Sequence, residues 1–270
     1  MIAVTGSEGL IGSCLVKFLE QKQFEVKRFD LQLGFDLRIR KPDLKDCKQV
    51  YHLAADMGGI GYITTHNAEN IKNNAKIDMQ VAEACRLCDV ARLLYTSSAC
   101  AIDNLDTGYG VEKLFGERLF TAYGKDYGFD VRIARLFNVY GIKKREVERE
   151  KVVEALCRKV AEAKDGGIVE VWGDGSQVRS FLHVEDAVKG LYTLMNSNLE
   201  GPVNIGSREH LTISDLAQII IGLSGKKLNI KYVPGAVGVQ GRMYVPHSHF
   251  AWSAKTSLLE GLKKTFEAFK

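Results

Sequence analysis

Short apolar runs alternate with longer amphipathic stretches through the first half of the chain. Ile2–Thr5, Glu25–Asp30, Gln49–Ala54, Arg92–Thr96 and Asp130–Leu136 are short, rich in β-branched and aromatic residues and bounded by polar segments, so they predict strands. Between the first two, Leu10–Gln21 sets Ile11, Leu15, Phe18 and Leu19 on one side, the spacing of a helix that buries one face against a sheet. Longer helices are expected over Asn67–Cys88 and Gly110–Tyr127. Strand and helix in turn imply an α/β fold with a Rossmann-type, doubly wound parallel sheet, because parallel neighbours need a crossover and helices supply it. Beyond Gly141 the alternation weakens into a helix near Lys151–Lys164, a strand at Val169–Trp172 and helices at Val184–Met195 and Ile213–Leu223. Loops are marked by Gly201-Pro202 and Pro234-Gly235. This predicts a first domain over 1–141, also receiving about 183–206, and a smaller interwoven lobe from 142–182 and 207–270.

Composition narrows the class. The 270 residues are 46% apolar, enough for a real core, yet no apolar run approaches the roughly 18 residues of a membrane span. The opening MIAVTG reads as a strand and not as a signal peptide, so a cytoplasmic setting is expected. Six cysteines sit mostly in apolar or helical stretches and read as reduced thiols; Cys85 and Cys88 read as helix-face residues, without a second pair to make a metal site. The net charge of +4 comes from 37 basic and 33 acidic residues scattered along the chain, which does not suggest a nucleic-acid surface.

Directly after the first strand, Gly6-Ser7-Glu8-Gly9-Leu10-Ile11-Gly12 forms a G-x-x-G-x-x-G turn that opens a helix. Glycines there allow a tight turn and let a pyrophosphate approach the free N–H groups of the helix start. Asp30 ends the second strand, where a carboxylate can accept from ribose hydroxyls and repel a 2′-phosphate, so NAD is preferred over NADP; Arg28 nearby leaves the second cofactor open. Farther on, Tyr109-x-x-x-Lys113 puts a phenol and an ammonium one helical turn apart, an arrangement expected to lower the tyrosine pKa. Ser98, at the end of a preceding strand, offers a hydroxyl to the same reacting oxygen.

The glycine turn, Ser98, Tyr109 and Lys113 together resemble the extended short-chain dehydrogenases/reductases. ADMGGIG (55–61), SSAC (97–100), REK with CRK (149–151 and 157–159), WGDGSQVRSF (172–181), PVNIGS (202–207) and VPGAVGVQGR (233–242) resemble the GDP-mannose 3,5-epimerases within that family. The resemblance spans nearly the whole chain and implies a GDP-hexose substrate, an NAD cofactor and a homodimer joined through the helices at Asn67–Cys88 and Gly110–Tyr127. It places Asp36, Leu37, Leu53, Ala54 and Ala55 beside the adenosine. It implies that Tyr109 and NAD oxidise the sugar at C4, that Cys100 and Lys151 then exchange protons at C3 and C5 from opposite faces, and that C4 is reduced again. The remaining substrate contacts would come from Gly58, Gly59, Ala99, Asn138, Glu150, Lys159, Arg179 and Arg242, the basic members suiting a diphosphate.

Taken alone, Cys100 reads as a core cysteine and Lys151 as a solvated helix lysine; their motif neighbours turn both toward chemistry. The chain departs from the family pattern in three places. Only eight residues separate Cys100 from Tyr109, where relatives carry a longer acidic, proline-containing loop. Ile142–Glu148 lacks the usual glycines, and Tyr244-Val245-Pro246 replaces polar residues. Two other readings stay open: a GDP-4-keto-6-deoxymannose epimerase/reductase of the GDP-fucose synthase kind, which would use NADPH and a histidine where Lys151 stands, and a catalytically idle NAD-binding protein.

Overall fold

The computed structural model describes residues 1–143, 146–236 and 238–270. Lys144 and Arg145 of the Ile142–Glu148 stretch, and Val237 of the VPGAVGVQGR segment, lie outside the described residues.

The first half runs β1 (Ile2–Thr5), α1 (Leu10–Gln21), β2 (Val26–Phe29), β3 (Gln49–His52), α2 (Ile60–Thr65), α3 (Asn67–Leu87), β4 (Arg92–Ser98), α4 (Cys100–Asp103), α5 (Gly108–Tyr127), β5 (Asp130–Leu136) and β6 (Val139–Tyr140). It continues through α6 (Val152–Glu162), β7 (Ile168–Trp172), β8 (Val178–Ser180), β9 (Leu182–His183), α7 (Val184–Met195) and β10 (Pro202–Ile205). The last stretch holds β11 (His210–Thr212), α8 (Ile213–Ser224), β12 (Asn229–Val233), β13 (Gly241–Arg242) and α9 (Leu258–Glu267).

Six strands form one parallel sheet in the order β10-β5-β4-β3-β1-β2. Consecutive residues of its inner strands face opposite sides. Val4, Tyr51 and Leu94 pack with Leu15 and Leu19 of α1 and Val188 and Leu191 of α7, whereas Ala3, Val50 and Leu93 pack with Val81 and Cys85 of α3 and Phe120 of α5. Both faces are covered, which is why these strands read as continuous apolar runs. The chain leaves the sheet after β5, contributes α6 and β7 to a second core, returns to the sheet at β10 and then completes that core with α8 and α9.

Some boundaries differ from the sequence reading for local reasons. β4 continues to Ser98 because β5 pairs with it as far as Leu136. α5 starts at Gly108 because the Thr107 hydroxyl caps it, accepting from the Gly110 N–H at 3.2 Å. The short helices α2 and α4 were not expected; each is too brief for a helical period to be visible in sequence. Strand order reverses at β1, between β3 and β2, so the crevice of the fold opens at the carboxyl ends of β1, β3 and β4.

Candidate active site

At that crevice lies a cleft of about 1490 Å³. Its cofactor side is built mainly by backbone. Gly6 leaves β1 with φ 66°, and a Cβ there would lie 2.7 Å from the Ala54 nitrogen. A Cβ on Gly12 would lie 1.9 Å from the Gly6 carbonyl oxygen, so the turn closes only around bare glycine. Gly9 begins α1 without a side-chain cap, leaving first-turn N–H groups facing the cleft. Asp30 is fixed by accepting from the N–H groups of Glu8 at 2.9 Å and Gln32 at 2.8 Å. An uncapped helix start beside a fixed carboxylate fits a dinucleotide with free ribose hydroxyls. Arg28, which could have welcomed a 2′-phosphate, is ion-paired to Glu8 and does not line the cleft. Arg38 does line it, but its guanidinium is engaged by Asp36 at 2.7 Å. Leu10, Ile11, Asp36, Leu37, Leu53, Ala54 and Ala55 all line this side.

On the reaction side, Tyr109 and Lys113 face the cleft from the first turns of α5, with the Lys113 ammonium 5.8 Å from the Tyr109 ring centre. Ser98 sits where it lowers the Tyr109 pKa, and its hydroxyl accepts from the Cys100 N–H at 3.2 Å. The expected lowering of the Tyr109 pKa is overturned in sum: burial pushes it up to about 12, although Lys113 pulls it down. Spacing along a helix shows the cation but not how deeply the phenol is buried.

Cys100 and Lys151 reach the same cleft from different segments, α4 and the start of α6. The short stretch between Cys100 and Tyr109 therefore keeps both in one site. Gly59 explains the approach of the Lys151 segment, since a Cβ there would lie 2.1 Å from the Glu150 carbonyl oxygen. Gly58, Asn138, Glu150, Lys159, Arg179 and Arg242 line the cleft as well, whereas Ala99 does not and sits buried behind it. Several of these side chains already hold protein partners. Arg242 pairs with Asp103 at 2.6 Å, Glu150 with Arg158 at 2.9 Å, Lys159 donates to the Glu170 carbonyl at 2.8 Å, and Asn138 to that of Ser180 at 2.8 Å. The Arg179 guanidinium donates to the carbonyls of Val178 at 2.8 Å and Val239 at 2.5 Å.

Sequence reasoning missed the supports of this arrangement. Arg149 stacks 4.1 Å over the Tyr62 ring and pairs with Asp56 at 2.7 Å, tying the segment before Lys151 to the ADMGGIG loop. Lys143 crosses to the glycine turn and donates to the Glu8 carbonyl at 2.7 Å. Asp103 and Arg158 were likewise unseen; each is an ordinary charged residue until the fold brings its partner near.

Residues 2–206 match the NAD dependent epimerase/dehydratase family. The GDP-mannose 3,5-epimerase of Arabidopsis thaliana is 33% identical over 306 aligned positions, covering 98% of this chain and 81% of its own. Those positions outnumber the 270 residues here, so the plant enzyme has internal insertions that this chain lacks. A GDP-L-fucose synthase of Sinorhizobium fredii is 31% identical, covering 99% of this chain and 95% of its own. The solved structure of UDP-glucose 4-epimerase with UDP-glucose from Thermotoga maritima has the same fold, with a TM-score of 0.87 at 23% identity over 99% of this chain and 98% of that one. The chain belongs to the NAD dependent epimerase/dehydratase family and is an NAD-dependent enzyme of the extended short-chain dehydrogenase/reductase type.

Proposed function

We propose that the protein is a GDP-hexose 3,5-epimerase acting on GDP-mannose. The observation that carries this reading is the meeting of Cys100, Lys151 and Tyr109 in one cleft beside the glycine turn. A simple 4-epimerase has no use for a thiol and an ammonium next to its tyrosine. When bound, NAD supplies a hydride acceptor and donor for sugar C4. Tyr109, its ionised form favoured by Lys113 and Ser98, takes the C4 hydroxyl proton and later returns it. A C4 carbonyl acidifies the C–H bonds at C3 and C5. Cys100 and Lys151, on separate segments, remove and deliver protons at those carbons. Asn138, Lys159, Arg179 and Arg242 hold the diphosphate by exchanging present partners for phosphate oxygens, and Glu150 holds a sugar hydroxyl.

The proposal divides the chain into an NAD-binding unit, 1–141 with about 183–206, and a substrate lobe made of the rest. It includes a homodimer through α3 and α5, supported by the exposed apolar side chains Ile71, Met79, Val111 and Phe115 on those helices. A cytoplasmic setting is supported by six free thiols. No helix among the described residues is long and apolar enough to cross a membrane.

The test is proton NMR of GDP-mannose incubated with the NAD-loaded protein. Products inverted at C5 and C3 are expected. Inert GDP-mannose, with NADPH-dependent reduction of the 4-keto-6-deoxy sugar, would move the assignment to the GDP-fucose synthase kind; NAD binding without either reaction would leave an idle binder.

A further inference from the structure

Behind Tyr109 and Lys113, a chain of polar side chains unused by the reaction is sealed between β1, β3, β4, α3 and α5. Thr5, His52, Asp78, Tyr95 and Glu112 are each at most 1% exposed, and Lys113 is 2% exposed. The Thr5 hydroxyl oxygen accepts from the Ala54 N–H at 3.3 Å, so its own hydrogen is free to point at His52 Nδ1, 2.6 Å away. Burial holds His52 neutral, its pKa lowered to about 3, so the ring has a single proton. With the Thr5 hydroxyl as donor at Nδ1, we assign that proton to Nε2, which donates it to Asp78 Oδ1 at 2.9 Å. From the other end, the Lys113 ammonium donates to the Tyr95 hydroxyl at 3.1 Å, and the Tyr95 hydrogen points at Glu112 Oε1, 3.4 Å away.

Both chains of donors end on the same two carboxyl groups. Asp78 and Glu112 gather around the Tyr95 hydroxyl: Glu112 Oε1 is 3.4 Å from it, and a Cβ on Gly116 would strike both that hydroxyl and Asp78 Oδ2, yet Asp78 Oδ2 and Glu112 Oε2 make no hydrogen bond among the described residues. Lys113 does not fill the gap, because its nitrogen is 3.7 Å from Glu112 Oε2. Two buried carboxylates facing each other with no hydrogen between them carry both a desolvation and a repulsion penalty. A single proton removes both.

We propose that Asp78 and Glu112 share one proton, present one negative charge to Lys113, and act through Lys113 as positioning residues that set the ionisation of Tyr109. The inference rests on the reading of Tyr109 as the base. With one shared charge, the Lys113 cation stays able to favour the phenolate; a second charge would neutralise that influence. Burial pushes Glu112 up to about 8, so the pair gives up its proton as pH rises through that value. The groups facing it are His52, held neutral, Tyr95, Lys113 and, beyond Lys113, Tyr109 with Cys100 on its far side.

The experiment is isotope-edited infrared spectroscopy of the NAD-loaded protein without substrate. A protonated-carboxyl stretch is expected at neutral pH, disappearing at alkaline pH and absent from both Glu112→Gln and Asp78→Asn, since either amide supplies the missing hydrogen. Each single variant keeps one negative charge beside Lys113, and the alkaline fall of kcat expected in the parent moves upward in pH. The double variant keeps none, so burial strips the unpaired Lys113 of its proton, the cation that favours the phenolate is lost, and kcat falls about a hundredfold below the product of the two single effects. A stretch that survives in both single variants, or strict multiplicativity in the double variant, would overturn the proposal. Because the infrared reading needs no turnover, it stands even if GDP-mannose proves not to be the substrate. If one single variant fails to fold, the other carries the spectral test.

Discussion

The two sides of the cleft are built by opposite means. The cofactor side is a contiguous run of backbone, Gly6 to Gly12, whose shape admits no Cβ at Gly6 or Gly12. The reaction side is assembled from side chains of six separate segments, and ion pairs hold it in register: Arg149 with Asp56, Arg158 with Glu150, and Arg242 with Asp103. Backbone shape makes the first side robust and legible. The second depends on partners far apart in sequence, so loops can shorten around it, as between Cys100 and Tyr109, while the functional groups still face one space.

Substitutions can break this contrast one side at a time. Tyr109→Phe should lower kcat by about 10³-fold while bound NAD is retained, measured as turnover against the cofactor released on denaturation. Lost cofactor would mean that the two sides are not separable. Gly12→Ala should do the reverse, reducing NAD retained through gel filtration by about tenfold or more, because the new methyl collides with the Gly6 carbonyl. Arg149→Ala should lower kcat by roughly tenfold with little effect on NAD content, since it frees the segment carrying Lys151 from Asp56 and Tyr62. An equal loss of cofactor would show that this clasp serves both sides.

The smallest expected effect concerns stability. Folded Glu112 keeps its proton up to about pH 8, whereas the unfolded chain releases it near the ordinary value of 4.5. Between those values the folded state binds more protons, so this group's contribution to stability falls as pH rises. Glu112→Gln removes that decline. Its Tm relative to the parent should therefore climb from pH 5 toward pH 8, and a flat difference in thermal scans would contradict the raised pKa.

Much of the first side was readable from residues alone. The glycine spacing, Asp30 and the strand–helix alternation are local patterns, and β1, α1, β5 and α7 fall where periodicity puts them. Tyr109, Lys113 and Ser98 were legible because a helical turn and a strand end are short-range geometry. Cys100 and Lys151 could be picked out only through resemblance, since neither carries a local signal. The Asp78–Glu112 pair and the Arg149 clasp were invisible for a different reason. Their partners lie 34 and 93 positions away, and only the packing of α3 on α5, and of the Arg149 segment on the ADMGGIG loop, brings them together. The direction of the Tyr109 shift was misread because burial, not its charged neighbour, dominates.

The central claim is that the two sides act on one sugar. Its most direct test is incubation of the NAD-loaded enzyme with GDP-mannose in D₂O, following deuterium at C3 and C5 by mass spectrometry and proton NMR. Incorporation at both carbons, lost in Cys100→Ala and in Lys151→Ala while NAD stays bound, is the predicted result. Incorporation that persists in both variants, or none in the parent enzyme, would contradict it.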